Sequence, residues 1–277
     1  LLRALEHAAE RSDILHSHSL WTMANIYPAR AVRGTGCRLV VSPRGTLSSW
    51  ALRRSRLRKA VALAVGQRAL LRRADLIHAT GSVEYEEIRA AGLTAPVVIV
   101  PNGVDIPTLR ARGQQRPYRQ LLFLSRIHPK KGVDALLRSW AIVQQSFPDW
   151  RLCIAGPLDS PYARSMQHLA AECQCTRVAF AGELSEQDRT EAFTQSDAFV
   201  LPTHSENFGL AVAESLAHGV PAIVGRNTPW NDIEQRGCGW LTTSNVQDLV
   251  SCLERTLAMS ADTLSRMGNN GREWMKQ

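Results

Sequence analysis

Nine short apolar runs alternate with longer stretches of helical periodicity, and that alternation is the strongest constraint on how this chain can fold. The runs are Asp13–His16, Arg38–Ser42, Leu76–Ala79, Val97–Val100, Leu121–Ser125, Leu152–Ala155, Val178–Ala181, Ala198–Leu201 and Ala222–Val224. Continuous apolar runs of this length read as strands buried on both faces, and the helical segments between them supply the crossovers that parallel pairing requires. The expected class is therefore α/β, with parallel sheets covered by helices. A polar break at Pro101-Asn102-Gly103-Val104-Asp105, followed by the stretch Pro107–Tyr118, marks a boundary. It divides the 277 residues into domains 1–105 and 106–277, each long enough to bury its own core. In open α/β sheets ligands collect beyond the carboxyl ends of the strands, so functional residues are sought just after each run.

After the run Ala198–Leu201 come Pro202 and a loop, then Glu206-Asn207-Phe208-Gly209-Leu210-Ala211-Val212-Ala213-Glu214. The apolar positions from Phe208 to Leu216, stopped at Gly219-Val220-Pro221, read as a short buried helix. Glu206 falls just before it and Glu214 about one 5.4 Å turn inside it. Unpaired amides near Gly209 and Leu210 suit an anion, and glycine allows close backbone approach. Carboxylates beside a bound anion repel it unless they face other groups, so hydroxyls of a sugar and a ribose are the natural partners of the two glutamates. The same nine residues also fit an ordinary helix whose acidic start is favoured by the macrodipole.

The second half opens with Leu121-Leu122-Phe123-Leu124-Ser125-Arg126-Ile127-His128-Pro129-Lys130-Lys131-Gly132, which delivers Arg126, Lys130 and Lys131 into the loop before a helix over 133–145. An arginine fork and a mobile lysine are suited to clamping a diphosphate and to neutralising it as a leaving group. A solvated basic turn is the plainer alternative.

Composition narrows the class further. Hydrophobic residues make up 44% of the chain, no run approaches the ~18 apolar residues of a membrane span, and no N-terminal segment resembles a signal peptide. The cytoplasm is the expected compartment. Six scattered cysteines, with one Cys-x-Cys, lack the second ligand pair of a zinc site and read as inert thiols. The chain opens inside one helical pattern and stops inside another, Leu264–Gln277, which reads as a fragment. Residues 1–105 hold 15 Lys and Arg against 8 Asp and Glu, a balance of +7, which leaves +1 of the total +8 for the remainder. Much of that excess lies between Trp50 and Arg73, where Leu52, Leu57, Ala60, Val61, Leu63 and Ala64 interleave with cations such as Arg53 and Arg54. The pattern fits a helix resting on anionic lipid near a lipid-linked acceptor, and equally a helix packing its apolar side on the sheet. No recognised module supports nucleic-acid binding.

Taken in order, Ser125 to Gly132, Ile154-Ala155-Gly156-Pro157, Val178 to Gly182, and Pro202-Thr203-His204-Ser205-Glu206 through Glu214 resemble the donor half of the retaining glycosyltransferases of family 4. The resemblance extends through His16-Ser17-His18-Ser19-Leu20-Trp21, Ser42-Pro43-Arg44-Gly45, Ala79-Thr80-Gly81-Ser82 and Pro101 to Asp105, so it covers essentially the whole chain. It implies a GT-B architecture: two Rossmann-like, doubly wound domains facing a cleft, the first taking the acceptor and the second the nucleotide sugar. Carried over by position, Arg126 and Lys131 hold the diphosphate, Glu214 the ribose, and Glu206 the transferred sugar near its anomeric carbon. Asn207, Phe208, Gly209 and Leu210 supply the contacts at the helix mouth. The resemblance further implies retention of configuration, a nucleoside-diphosphate sugar as co-substrate, a glycan or lipid-linked acceptor, and no bound metal, in keeping with the lack of an Asp-x-Asp pair.

The chain departs from that pattern where many relatives carry a histidine and it carries Arg44. Arg44 cannot serve as a base; it stabilises negative charge or anchors its loop. The subgroup with Ser-Pro-Arg-Gly resembles enzymes of exopolysaccharide and lipopolysaccharide-type clusters. His18 is placed to contact sugar hydroxyls or accept a proton, or to serve as a satisfied structural histidine. The glycine-rich loop after the first strand of relatives and their final crossover helix are not found in the sequence, which keeps open a silent carbohydrate-binding role. A sugar-nucleotide epimerase would need acid/base carboxylates in both halves, and the first half's motifs offer a histidine and an arginine instead.

Overall fold

The computed structural model describes residues 1–48, 51–52, 56–108 and 117–277, the side chains of Met23 and Arg56 excepted. The chain divides between Asn102 and Gly103 into two compact units. Trp50, Arg53 and Arg54, and most of the polar stretch after Pro107, lie outside the described residues.

In the first unit, α1 (Leu2–Ala9) leads into β1 (Ile14–His18), and α2 (Pro28–Ala31) precedes β2 (Arg38–Ser42). Next come α3 (Arg56–Ala62), a π-helical turn at Leu63–Gln67, α4 (Arg68–Arg73), β3 (Leu76–Ala79), α5 (Ser82–Ala90) and β4 (Val97–Ile99). The four strands pair in parallel in the order β1-β2-β3-β4. Leu39, Val41, Leu70, Ile77 and Ile88 are fully buried and form the centre of its core.

The second unit contains β5 (Arg119–Leu124), α6 (Val133–Val143), β6 (Trp150–Ala155), α7 (Pro161–Glu172), β7 (Val178–Gly182), α8 (Glu186–Thr194) and β8 (Ala198–Leu201). It continues with α9 (Leu210–Ala217), β9 (Ala222–Gly225), β10 (Gly239–Thr242), α10 (Val246–Leu257) and α11 (Ala261–Met275). The sheet order is β10-β9-β8-β5-β6-β7, all parallel, so the strand order reverses between β5 and β8. Ser160, Ser185, Asn245 and Ser260 cap α7, α8, α10 and α11 by accepting from amides of the first turn. The core is aromatic: Phe123, Trp140, Trp150, Phe193 and Phe199 are all fully buried. Both buried indoles are satisfied, Trp140 donating to Thr176 O at 3.0 Å and Trp150 to Leu257 O at 3.1 Å.

All nine predicted strands form. The tenth, Gly239–Thr242, escapes the apolar-run criterion because it pairs only along β9, begins with glycine and ends with threonine. The predicted helix from Phe208 starts two residues later, since Gly209 adopts a left-handed φ of 83°. The first predicted strand extends two residues past His16, so His18 is its last residue rather than a loop residue.

Candidate active site

The loops after β5 and β8 meet where the strand order reverses, which in doubly wound sheets opens a crevice at the carboxyl edge. Their approach depends on Gly132, whose φ is 70° and where a Cβ would lie 2.3 Å from the carbonyl oxygen of Pro202. His204 N and Thr203 Oγ1 both donate to Lys130 O at 2.9 Å. This stitching brings Lys131 to Glu206: the ammonium donates to Oε2 in an ion pair whose side chains are only 11% and 15% exposed. Glu206 is held further by its own amide, which donates to Asn227 O at 3.1 Å, and by the Asn207 amide, which donates to Oε1 at 3.3 Å.

Beyond Glu206, Gly209 turns the chain into α9 with no side chain capping the helix start, so its first amides are served by no cap. Trp230 backs this turn. Its indole donates to Phe208 O at 2.5 Å, its ring lies 5.5 Å from that of Phe208, and Trp274 packs edge-on behind it at 5.4 Å. Leu210 is half exposed at the mouth. One turn further, Glu214 Oε1 accepts from Arg189 Nη1 of α8 at 3.3 Å. Burial pushes the Glu214 carboxyl above its ordinary range, and the Arg189 charge opposes the rise. Arg189 also lines a pocket with Ser125, Arg126, Gly156 and Glu183, beyond the ends of β5, β6 and β7, where the Arg126 side chain is exposed.

Both glutamates therefore stand in ion pairs. By sequence, Lys131 and Glu206 face different parts of a ligand; the fold makes them direct partners. Arg189 was not singled out from the sequence at all, because it sits in a polar helix with no motif around it. Among the described residues, no group of three or more His, Cys, Asp or Glu is placed to hold a metal ion.

A second polar cluster lies at the carboxyl end of the first unit's sheet. His16 and His18 sit two residues apart on β1 and so share a face, with ring centroids 4.1 Å apart. His16 Nε2 lies 2.6 Å from Ser42 Oγ, which lies 2.8 Å from His78 Nδ1, and His78 Nε2 lies 2.8 Å from Val100 O. Arg44, with φ of 55°, donates from Nη1 to Asn102 Oδ1 at 2.6 Å and from Nε to His18 Nδ1 at 3.4 Å. Its loop is pinned by the buried Glu84, which accepts from Gly45 N at 2.7 Å and from Thr80 N at 2.8 Å. Burial holds the His16 and His18 imidazoles below their ordinary pKa; for His16 the neighbouring His18, His78 and Arg44 add to this, and for His18 Arg44 and His78. His16, Ser42, His78 and Asn102 were not picked out as site residues, although His16 and His78 are polar interruptions in otherwise apolar strands.

Two parallel-sheet units of this kind define an α/β protein of the GT-B class. Residues 106–274 match the family model for glycosyl transferases group 1, and residues 1–103 match the glycosyl transferase 4-like domain. The chain belongs to the group 1 glycosyltransferases. Among curated relatives, it is 29% identical to the sulfoquinovosyl transferase SQD2 of Arabidopsis thaliana over 74% of this chain and 42% of that one. It is 27% identical to the D-inositol 3-phosphate glycosyltransferase of Kineococcus radiotolerans over 78% of this chain and 49% of that one. The chain thus spans about half or less of the length of these relatives. Among solved structures, sucrose-phosphate synthase from Thermosynechococcus elongatus superposes with a TM-score of 0.83 at 20% identity, over 99% of this chain and 72% of that one. Anabaena HepE in complex with UDP and glucose superposes with a TM-score of 0.83 at 18% identity, over 100% of this chain and 76% of that one.

Proposed function

We propose that this chain forms the body of a retaining glycosyltransferase that moves a hexose-type sugar from a nucleoside-diphosphate sugar to a glycan or lipid-linked acceptor in polysaccharide biosynthesis. The observation that carries the reading is the Lys131–Glu206 pair, held by Gly132 at the reversal of strand order. Residues 106–277 take the donor and residues 1–105 the acceptor. Arg126 and Lys131 bind the diphosphate and neutralise the charge that grows on it as the glycosidic bond breaks. Glu206, freed when Lys131 turns to phosphate, accepts hydrogen bonds from the sugar near its anomeric carbon. Glu214, steadied by Arg189, accepts from the ribose hydroxyls. Asn207, Phe208, Gly209 and Leu210 line the helix mouth. HepE, with this fold, binds UDP and glucose, and a trehalose-6-phosphate synthase of TM-score 0.71 is described as transferring with retention. Binding of UDP-, GDP- and ADP-sugars is measured by thermal shift, because a ligand of the folded state raises its stability. One of these donors stabilises the protein and fails to stabilise Lys131→Ala; no stabilisation by any of them overturns the donor site.

The acceptor side carries a separate expectation. On α3 and the π-turn, Leu57, Val61 and Val65 are 84%, 61% and 59% exposed, at i, i+4 and i+8, with exposed Arg58 on α3 and exposed Arg68 and Arg72 on α4, which follows the non-helical Gly66. Leu70 and Leu71 instead enter the core. An apolar stripe left outside the core and flanked by arginines suits the cytoplasmic face of an anionic membrane, where a lipid-linked acceptor would be met. No helix among the described residues is long and apolar enough to cross a membrane. Sedimentation with anionic vesicles is expected to fall on raising salt and on Leu57→Glu; binding unaffected by both overturns the surface.

A further inference from the structure

The hydrogen-bonded chain behind His18 has only one proton arrangement when its imidazoles are neutral. Val100 O can only accept, so His78 Nε2 carries a proton and donates to it across 2.8 Å. Neutral His78 then has a lone pair at Nδ1, and the Ser42 hydroxyl, 2.8 Å away, must donate to it. With its proton committed, Ser42 Oγ must accept from His16 Nε2 at 2.6 Å. His16 is thereby fixed as the Nε2–H tautomer with a lone pair at Nδ1. His18 is fixed independently: its Nδ1 accepts from Arg44 Nε at 3.4 Å, so a neutral His18 carries its proton at Nε2. The two rings, 4.1 Å between centroids and tilted by 32°, therefore carry one acceptor nitrogen, His16 Nδ1, and one donor nitrogen, His18 Nε2.

We propose that the His16–Ser42–His78 chain is a tautomer lock, and that the His16 Nδ1 acceptor and His18 Nε2–H donor it sets together recognise neighbouring hydroxyls of an uncharged polyol ring on the acceptor. The inference rests on the reading that residues 1–105 take the acceptor. A hydroxyl both donates and accepts, so a vicinal diol can serve both nitrogens, whereas an ammonium only donates and a carboxylate or fully ionised phosphate only accepts. Ser42 and His78 are positioning residues that act through His16. The charged and titratable groups packed around the pair are His78 and Arg44, both of which disfavour a second positive charge, in keeping with imidazoles that stay neutral. Asn102 orients Arg44 and so holds the His18 tautomer from the other side.

The lock is tested without any activity measurement, by long-range proton–nitrogen NMR of the 277-residue chain labelled at histidine. His16, His18 and His78 are each expected to show a pyridine-type Nδ1 and a protonated Nε2 near pH 7.5. Ser42→Ala is expected to release His16 alone into a tautomer mixture, and His78→Gln is the second variant should Ser42→Ala unfold. A protonated Nδ1 on His16 in the unmodified chain, or a His16 spectrum unmoved in the folded variants, overturns the lock. The ligand is tested with myo-inositol as probe: it is expected to shift the His16 and His18 nitrogens in the unmodified chain and to lose that effect in Ser42→Ala. Intact tautomers with no response to the polyol overturn its recognition while leaving the lock standing. Donor binding by the second unit is unaffected by Ser42→Ala, so a failure here is distinguishable from a failure of the donor reading.

Discussion

The two units hold their polar clusters by different means. In residues 103–277 the strand order reverses between β5 and β8, and Lys131 and Glu206 stand on loops beyond the strand ends. In residues 1–102 the described strands follow one another without reversal, and His16, His18, Ser42 and His78 belong to the strands themselves. A reversal leaves a crevice into which two loops project, so its ionic groups can exchange one partner for another. A sequential sheet brings neighbouring strand residues into fixed register, as His16 is with Val40 and His18 with Ser42, which favours neutral groups in a set arrangement. One unit sets an ion pair on two loops, and the other holds a pattern of donors and acceptors within its strands.

That contrast is broken most directly at Gly132. Gly132→Ala needs a left-handed backbone, costing roughly 1–2 kcal/mol, and also sets a methyl against Pro202 O. Urea unfolding is expected to show a loss above about 3 kcal/mol in the second unit, in the range reserved for strain and overpacking. Gly36→Ala in the first unit meets nothing within 4 Å and is expected to change stability little. An equal effect at both sites would remove the special geometry claimed for the reversal.

Lys131→Ala comes next. It leaves the shielded Glu206 carboxylate without its cation and removes a charge-assisted hydrogen bond, a cost of about 1.5–3 kcal/mol. Lys131→Ala/Glu206→Ala is expected to recover part of that stability without recovering nucleotide binding. A purely additive double-mutant cycle would show that the two groups do not interact.

The smallest effect is on pH. The His16 and His18 pKa values lie below the unfolded value of 6.5, so the unfolded chain binds more protons as the pH falls through that value. The stability they contribute is complete above about pH 6.5 and is lost on acidification towards their lowered folded pKa. Glu214 has the opposite sign: its raised carboxyl pKa favours the folded form as the pH falls. His218, lowered by burial, opposes it within the second unit. Denaturation at pH 7.5 and 5.5 is expected to show the first unit losing stability, and His16→Asn to reduce that loss; an unchanged loss would assign it elsewhere.

The strand pattern was legible because nine of the ten described strands are predominantly apolar runs, even where, as in β1, β4 and β7, they are only partly buried. The domain break read from Pro101–Asp105 lies beside the division at Asn102 and Gly103. Glu206, Gly209 and Glu214 were legible as a linear spacing around one helix start. What the sequence hides is pairing across distance. Lys131 and Glu206 are 75 residues apart, and Arg189 meets Glu214 from another helix. The Ser42–His78 hydrogen bond joins two strands at a separation of 36 residues. Such partners follow from strand order and register, which local periodicity does not contain. The exposure of Leu57, Val61 and Val65 was equally hidden, since an amphipathic stripe does not say which side the core lies on.

The Lys131–Glu206 pair has one further consequence, for discrimination. Each group is the other's counterion, so a ligand that engages only one of them strands its partner in a poorly solvated place. A free phosphate offers an anion to the lysine and nothing to the carboxylate; a free sugar does the reverse. Only a molecule that carries both, joined at the right length, separates the pair without leaving either half unmet. On the proposed assignment of Lys131 to phosphate and Glu206 to sugar, the ion pair would work as a coincidence detector, ignoring the separate parts of a substrate and answering to the whole.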